Sequence, residues 1–292
     1  MASLSRMERR AAPYVFTAPF FIYYAIFGIF PVLYALYLSF HKQVGVVSPR
    51  TFVAVQNYLD VLRDERFVKS LINTTYYAIG SVFLILPLAL MLGLLLNSDR
   101  VRGKEIFRLA YFLPLLTSAV VVSVMFTLVF DYQYGLLNAY LVKPLGIAPI
   151  RWLESAEFAV PSLIVLGTWQ YVGINALYFV AGLQQIPREL EESARIDGAS
   201  GWQVLYNVRL PLLRPVALFI VIQAIIGSYN LFAQPFLLGL GDRGMTVMVY
   251  LYTNAFTFLR FGFAAAIGYV LFAIILVLSL IQLRLFGIFR ED

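Results

Sequence analysis

Six stretches of this chain contain no Asp, Glu, Lys, Arg or His, and that feature limits its fold more than any other. They lie near residues 15–40, 70–96, 109–130, 159–182, 215–238 and 263–283. Crossing a hydrocarbon core of ~30 Å takes about 20 helical residues, so every one of them is long enough to span a bilayer. Composition points the same way: 61% of the 292 residues are hydrophobic and 13% are charged, against roughly 25% charged in soluble domains. The expected fold is an all-α membrane protein of six transmembrane helices, with residues 1–292 forming a single transmembrane domain.

An even number of spans puts both termini on one side. Lys and Arg outside the spans number 13 on the terminal side and 9 on the other, which favours cytoplasmic termini. The formal charge of +6 then reads as inner-leaflet anchoring against membrane lipid; no basic run is interleaved with aromatics, so no nucleic-acid partner is expected. Arg6, Glu8, Arg9 and Arg10 precede an apolar run too long for a cleaved signal peptide, so the first helix is expected to be retained. The tail from Arg284 to Asp292 leaves no room for a regulatory domain.

Several chemistries are excluded. With no cysteine there is no disulfide, thiolate nucleophile or Cys-ligated metal. The single histidine, His41, closes the first helix and reads as an interfacial residue rather than a proton relay or metal ligand. No phosphate-binding loop occurs; Gly103-Lys104 lacks the earlier glycine and the following Ser or Thr. Ion-coupled carriers usually keep ionisable residues inside their spans, and these spans have none. If the chain moves a solute against a gradient, the energy must therefore come from another chain. No catalytic or metal site is expected on this one.

Between the fourth and fifth spans the chain turns polar, from Gln185 to Pro211. Pro187 suits the first turn of a helix and Gly198 the left-handed residue just beyond its end. Ser200 and Gln203 form a capping-box pattern for a second short helix, expected to stop before Leu210-Pro211. Leu190 and Ala194 share one stripe; Trp202, Leu205 and Tyr206 share another. The result is an amphipathic helix-Gly-helix knob, either a surface connector or a docking element.

Glu192-Ser193-Ala194, Gly198 and Val208-Arg209-Leu210-Pro211 resemble the EAA loop of membrane permeases in binding-protein-dependent ABC importers. The flanking Ile-Pro-x-Glu-Leu and Ala-Arg-Ile-Asp-Gly-Ala are similar to the carbohydrate-uptake branch, the maltose, lactose and glycerol-phosphate type, and the likeness runs from about Ala12 to Gln282. Ser193 and Val208 depart from the motif's usual alanine and isoleucine. The resemblance implies a bacterial or archaeal cytoplasmic-membrane permease subunit working with a second homologous permease, an ABC ATPase dimer and an external solute-binding protein. It implies a cytoplasmic coupling loop at 185–211. There Glu192 would anchor the knob to the ATPase, Gly198 would allow the elbow, and Leu190, Ala194 and Trp202 would fill its cleft.

Two polar stripes flank this loop. Gly167, Tyr171, Asn175 and Tyr178 recur on one side of the fourth helix, with Gln170 beside them; Gln223, Gly227, Asn230 and Gln234 recur on the fifth, with Ser228 and Tyr229 adjacent. These groups either bond helix to helix, at ~0.6–2 kcal/mol each, or line a path for a neutral polyhydroxylated solute. The resemblance highlights Gln170, Tyr171, Gly227, Ser228 and Leu231 as solute contacts. A permease for a polyol or glycerol-phosphate is the nearest alternative, and an ion-coupled carrier or a docking scaffold are more distant ones.

Elsewhere, residues 43–69 are expected to hold a short surface helix at Gln56-Asn57-Tyr58, and Tyr132, Tyr134 and Trp152 to sit at the membrane interface. Leu240-Gly241-Asp242-Arg243-Gly244 reads as a turn, and Ala264-Ala265-Ala266 with Gly268 as a close-packing face of the last helix.

Overall fold

The structure, a computed structural model, describes residues 6–98, 101 and 103–285. The tail from Arg284 to Asp292 lies partly outside those residues. In chain order, α1 (Arg6–Tyr24) passes through a π-helical turn, Ala25–Ile29, into α2 (Phe30–Ser39). The short strands β1 (His41–Lys42) and β2 (Thr51–Phe52) pair antiparallel and lead to α3 (Gln56–Arg63). Then come α4 (Glu65–Asn97), α5 (Lys104–Leu116), α6 (Ala119–Val129) and α7 (Ala156–Gln184). The connector carries α8 (Arg188–Ile196), α9 (Gly201–Val204) and α10 (Leu210–Leu212). After it follow α11 (Arg214–Tyr229), α12 (Ala233–Leu237), α13 (Val247–Tyr252) and α14 (Phe261–Leu285).

Five runs are long and apolar enough to cross a membrane: Pro13–Ser39, Glu65–Asn97, Ala156–Gln184, Arg214–Leu237 and Phe261–Arg284. The third expected span differs from the others, because α5 and α6 meet at 99°. Pro114 sits in the last turn of α5, where its ring removes a donor and crowds the preceding turn. Thr117 and Ser118 then turn extended, with ψ of 134° and 142°, and the axis swings. Counting the bent pair as one span gives six.

Residues 65–250 with 271–285 form one compact unit and 6–64 with 251–270 another. In the larger unit α4 packs along α7. A Cβ on Gly93 would stand 2.9 Å from the Phe179 Cβ, and one on Gly173 would fall on the Tyr111 carbonyl of α5, so both glycines are what lets backbones approach. Lipid tails are as apolar as leucine, so contacts such as buried Phe179 on Ala89 and Ala176 gain chiefly from close van der Waals packing. Towards the other end, Phe126, Phe130, Leu163, Leu166 and Leu240 make a second core.

Trp152 caps that second core: it packs on Phe130 and Phe158, and its Nε1 donates to Asn138 Oδ1 at 3.1 Å. Asn138, fully buried, also accepts from Ile150 N and donates to the carbonyls of Ile150 and Tyr132, at 2.9–3.0 Å. A primary amide is the one neutral side chain able to serve donors and acceptors on both sides of such a loop. Tyr134 is exposed, and Tyr132 lies beneath Arg151. The turn at Gly241–Arg243 forms as expected, held by Arg243 Nη1 on the Glu154 carbonyl at 2.8 Å.

In the smaller unit the surface helix appears as α3. Its Asn57 is buried and donates to the carbonyls of Ser39 and His41 at 2.8 and 3.0 Å, tying the end of α2 and the start of β1. Close approach at the start of α14 falls on Gly262, whose Cβ would meet the His41 carbonyl, while Gly268 has ordinary van der Waals room.

Candidate solute path and coupling loop

A cavity of about 300 Å³ opens between α4, α7 and α11. Tyr77, Ser81 and Ile85 line it from α4; Tyr171, Ile174, Asn175 and Tyr178 from α7; Gln223, Ala224, Gly227 and Ser228 from α11; Leu115 and Leu231 close it. That space is about ten times the ~30 Å³ that water occupies in the liquid, room for one small ring. Its walls are rings, hydroxyls and amides, and none of these lining side chains is an acid or a base of the Asp, Glu, Lys, Arg or His type.

Of the expected path residues, Tyr171, Asn175, Gln223, Gly227, Ser228 and Leu231 come together here. Asn175 Nδ2 donates to the Tyr171 carbonyl at 2.8 Å and Ser228 Oγ to the Ala224 carbonyl at 2.6 Å, which leaves their oxygens' remaining lone pairs for a visitor. Gln170 and Asn230 stand elsewhere. Gln170, buried, accepts from Gln234 Nε2 at 3.0 Å and bonds helix to helix. Asn230 is exposed at the end of α11 and donates to the Ile226 carbonyl.

The stripe expected from Gln223 to Gln234 is corrected by a break at the end of α11. Helix α11 stops at Tyr229, residues 231–232 leave the helix, and Gln234 belongs to α12, so an α-helical repeat does not carry across. Gly167 likewise faces the Tyr77 ring, not the cavity; a Cβ there would strike the Tyr77 hydroxyl.

The sequence reading missed the α4 wall, although its signal was present: Ser70, Thr74, Tyr77 and Ser81 recur at helical spacing and are all buried. Ser81 Oγ is buried at the cavity wall beside Tyr77 and adds a hydroxyl to its lining.

The connector between α7 and α11 folds into the expected elbow. Gly198 has φ +83°. Its N–H bonds to the Arg195 carbonyl at 3.1 Å, and Ala199 N–H to the Ala194 carbonyl at 2.9 Å, the paired bonds of a Schellman stop. Ser200 and Gln203 make the capping box in both directions. Pro187 serves as the N-cap of α8 and not as a first-turn residue.

The expected stop before Leu210-Pro211 is not made. The π-helical turn Leu205–Arg209 runs into α10 and α11, because Pro211 and Pro215 each fall in the first turn of a helix, where the missing donor is not needed.

Leu190, Ile196, Trp202 and Tyr206 leave an apolar surface on the loop, with Ile196 85% and Trp202 72% exposed. Ser193 is exposed and Ala194 half-buried. Glu192 points outward, exposed. The acid engaged within the loop is its neighbour: Arg209 donates Nε to Glu191 Oε1 at 2.8 Å and Nη2 to Oε2 at 2.7 Å. Arg195 stands 3.8 Å from the same carboxylate. The Arg209 hydrogen bonds hold the Glu191 carboxyl below its ordinary value, against the opposing pull of partial burial. Arg209 is raised in turn and stays charged. An i, i+18 pairing leaves no mark in a helical repeat, and Glu191 falls outside the Glu192-Ser193-Ala194 motif.

A bundle of apolar helices around an uncharged cavity, with an exposed amphipathic loop between two cavity helices, defines a membrane permease. The chain belongs to the family of binding-protein-dependent transport system inner membrane components, whose model matches residues 85–287. It is 37% identical over 291 residues to the arabinooligosaccharides transport system permease protein of Bacillus subtilis (strain 168), covering 98% of this chain and 91% of that one. It is 30% identical to the lactose transport system permease protein of Rhizobium radiobacter, covering 92% of each. A chain in the crystal structure of a bacterial alginate ABC transporter in complex with alginate pentasaccharide-bound periplasmic protein shares the fold, with a TM-score of 0.80 over 94% of both chains at 19% identity. The chain is thus the inner-membrane, transporting part of an ABC system and not its ATPase.

Proposed function

We propose that this chain is one permease subunit of an ATP-driven importer for a neutral sugar or oligosaccharide, its termini on the cytoplasmic side. A second homologous permease completes the path, an external solute-binding protein delivers the solute, and an ABC ATPase dimer binds ATP and Mg; this chain holds no cofactor. Residues 1–292 act as one transmembrane domain.

The observation that carries this reading is the uncharged cavity between α4, α7 and α11. Amide and hydroxyl groups of Asn175, Gln223, Ser228 and Ser81 match sugar hydroxyls, and the rings of Tyr171 and Tyr178 match the apolar face of a pyranose. No cationic side chain awaits a phosphate or carboxylate there. The named relatives handle arabinooligosaccharides and lactose, which are neutral.

The 185–211 loop is the coupling element in this reading. Leu190, Trp202 and Ala194 fill a cleft in the ATPase, Glu192 and Ser193 meet its rim, and Gly198 holds the elbow. Purification of the tagged chain in mild detergent should bring down a P-loop ATPase and a second six-span chain, and Glu192→Ala should release the ATPase. Uptake in membrane vesicles should be blocked by excess neutral oligosaccharide and not by sugar phosphates. A chain that purifies alone, or transport driven by a proton or sodium gradient without ATP, overturns the reading.

A further inference from the structure

We propose that the Glu191–Arg209 pair is the strut that makes residues 188–209 a rigid lever on α11, so that movement of α8 reaches the wall of the cavity. The proposal rests on the reading above, in which an ATPase docks on this loop.

Helix α8 has no buried residue and joins α9 through Gly198, Ala199 and Ser200. A Cβ at Gly198 or at Gly201 would meet nothing within 4 Å, so the two glycines of this corner stand in open space. A helix held only at its root and through such an elbow would swing when pushed, and the push would be lost. Among the described residues, the Glu191–Arg209 fork is the one hydrogen-bonded ion pair that ties α8 to the run entering α11. Both carboxylate oxygens are engaged by two guanidinium nitrogens, a planar match that resists rotation as well as separation. The two side chains keep only 20% and 25% of their exposure, so solvent competes weakly for the contact.

The π turn serves this geometry. Its wider winding rotates the residues after it, and Arg209 is the last residue of the turn. From Arg209 the helix continues through α10 into α11, whose Gly227 and Ser228 line the cavity. Load on α8 therefore passes through Glu191 and Arg209 to the helix that shapes the path. Because its carboxylate is already engaged, Glu191 is a positioning residue, distinct from the outward-facing Glu192.

The test uses the complex as it co-purifies, in proteoliposomes, with ATP hydrolysis and solute uptake measured together. Glu191→Ala and Arg209→Ala should keep the ATPase bound and hydrolysing, while solute moved per ATP falls about tenfold, within the span of ordinary coupling losses. The reversed pair, Glu191→Arg with Arg209→Glu, should recover uptake per ATP to within about threefold of the parent, a rescue that damage to folding would not give. Arg209→Lys, which keeps charge without the fork, should fall between.

Unchanged uptake per ATP in both single variants overturns the strut. So does release of the ATPase by Glu191→Ala, which would make Glu191 a docking contact, and so does a reversed pair no better than either single change. If the parent complex contains no ATPase, or hydrolysis does not drive its uptake, the underlying reading fails and not the strut alone.

Discussion

Replacing Gly198 by valine tests the elbow with little steric ambiguity. The residue sits at φ +83°, and a Cβ there would meet nothing within 4 Å. Any loss must therefore come from the backbone. Forcing a β-branched residue into the left-handed region costs ~1–3 kcal/mol. If the backbone relaxes instead, it gives up the two Schellman bonds, Gly198 to Arg195 and Ala199 to Ala194, at roughly 1 kcal/mol each. Either route puts the loss at ~2 kcal/mol, about thirtyfold in the equilibrium constant for the docking-ready loop.

Gly201 supplies the control. It opens α9, its φ is not positive, and it too has open space around a Cβ, so Gly201→Ala should be neutral or stabilise by a few tenths to ~1 kcal/mol. The assay is ATPase retention on the detergent-purified chain, titrated with the ATPase, with membrane insertion followed in parallel. Gly198→Val should insert normally and need more ATPase for half occupancy, by up to about thirtyfold, while Gly201→Ala matches the parent. Equal titration curves for Gly198→Val and the parent would refute the elbow argument, and a loss in Gly201→Ala as large as in Gly198→Val would show that the backbone angle is not the cause.

Two further outcomes follow from the same contacts. Asn138→Ala leaves the Ile150 amide and carbonyl and the Trp152 indole without their partner in a buried site, so the purified protein should lose ~2–4 kcal/mol, read as a lowered melting temperature in detergent, with Asn138→Asp no better. The Glu191 carboxyl titrates below its ordinary 4.5, so its stabilising contribution is complete above that value and is lost as pH falls through the depressed folded pKa. Arg209 is raised and stays protonated throughout, and Arg195 is the other charge beside the pair. Amide protection over residues 188–209, corrected for the intrinsic pH dependence of exchange, should hence be unchanged from pH 8 to 6 and fall as the pH drops through the depressed folded pKa in the parent, while Glu191→Gln should show no such onset.

Much of the architecture can be read from the chain because lipid makes a simple demand. A segment that must cross ~30 Å of hydrocarbon cannot carry charge, so the runs around 70–96 and 159–182 announce themselves, and α4 and α7 extend them only by the polar turns at their ends. Local rules also sufficed for the elbow: a glycine after a helix and a Ser-x-x-Gln box act within a few residues, and both appear where their spacing puts them.

What escaped the sequence depends on partners far apart in the chain or on where a helix stops. Hydropathy does not distinguish one span from two half-length helices, so the 99° break at Thr117-Ser118 emerged only with the backbone path. The same limit misplaced Gln234, because a helical repeat was extended across the end of α11. Tyr171 and Asn175 could be chosen as polar residues on one face, but that they meet Tyr77 and Ser81 while Gln170 turns to Gln234 depends on how α4, α7 and α11 pack. Glu191 and Glu192 are adjacent carboxylates with the same composition around them. Only the fold brings Arg209 from eighteen residues away to one of them and leaves the other facing outward. Periodicity and solvation act along the chain and are written in it, whereas side-chain pairing across helices is set by three-dimensional packing.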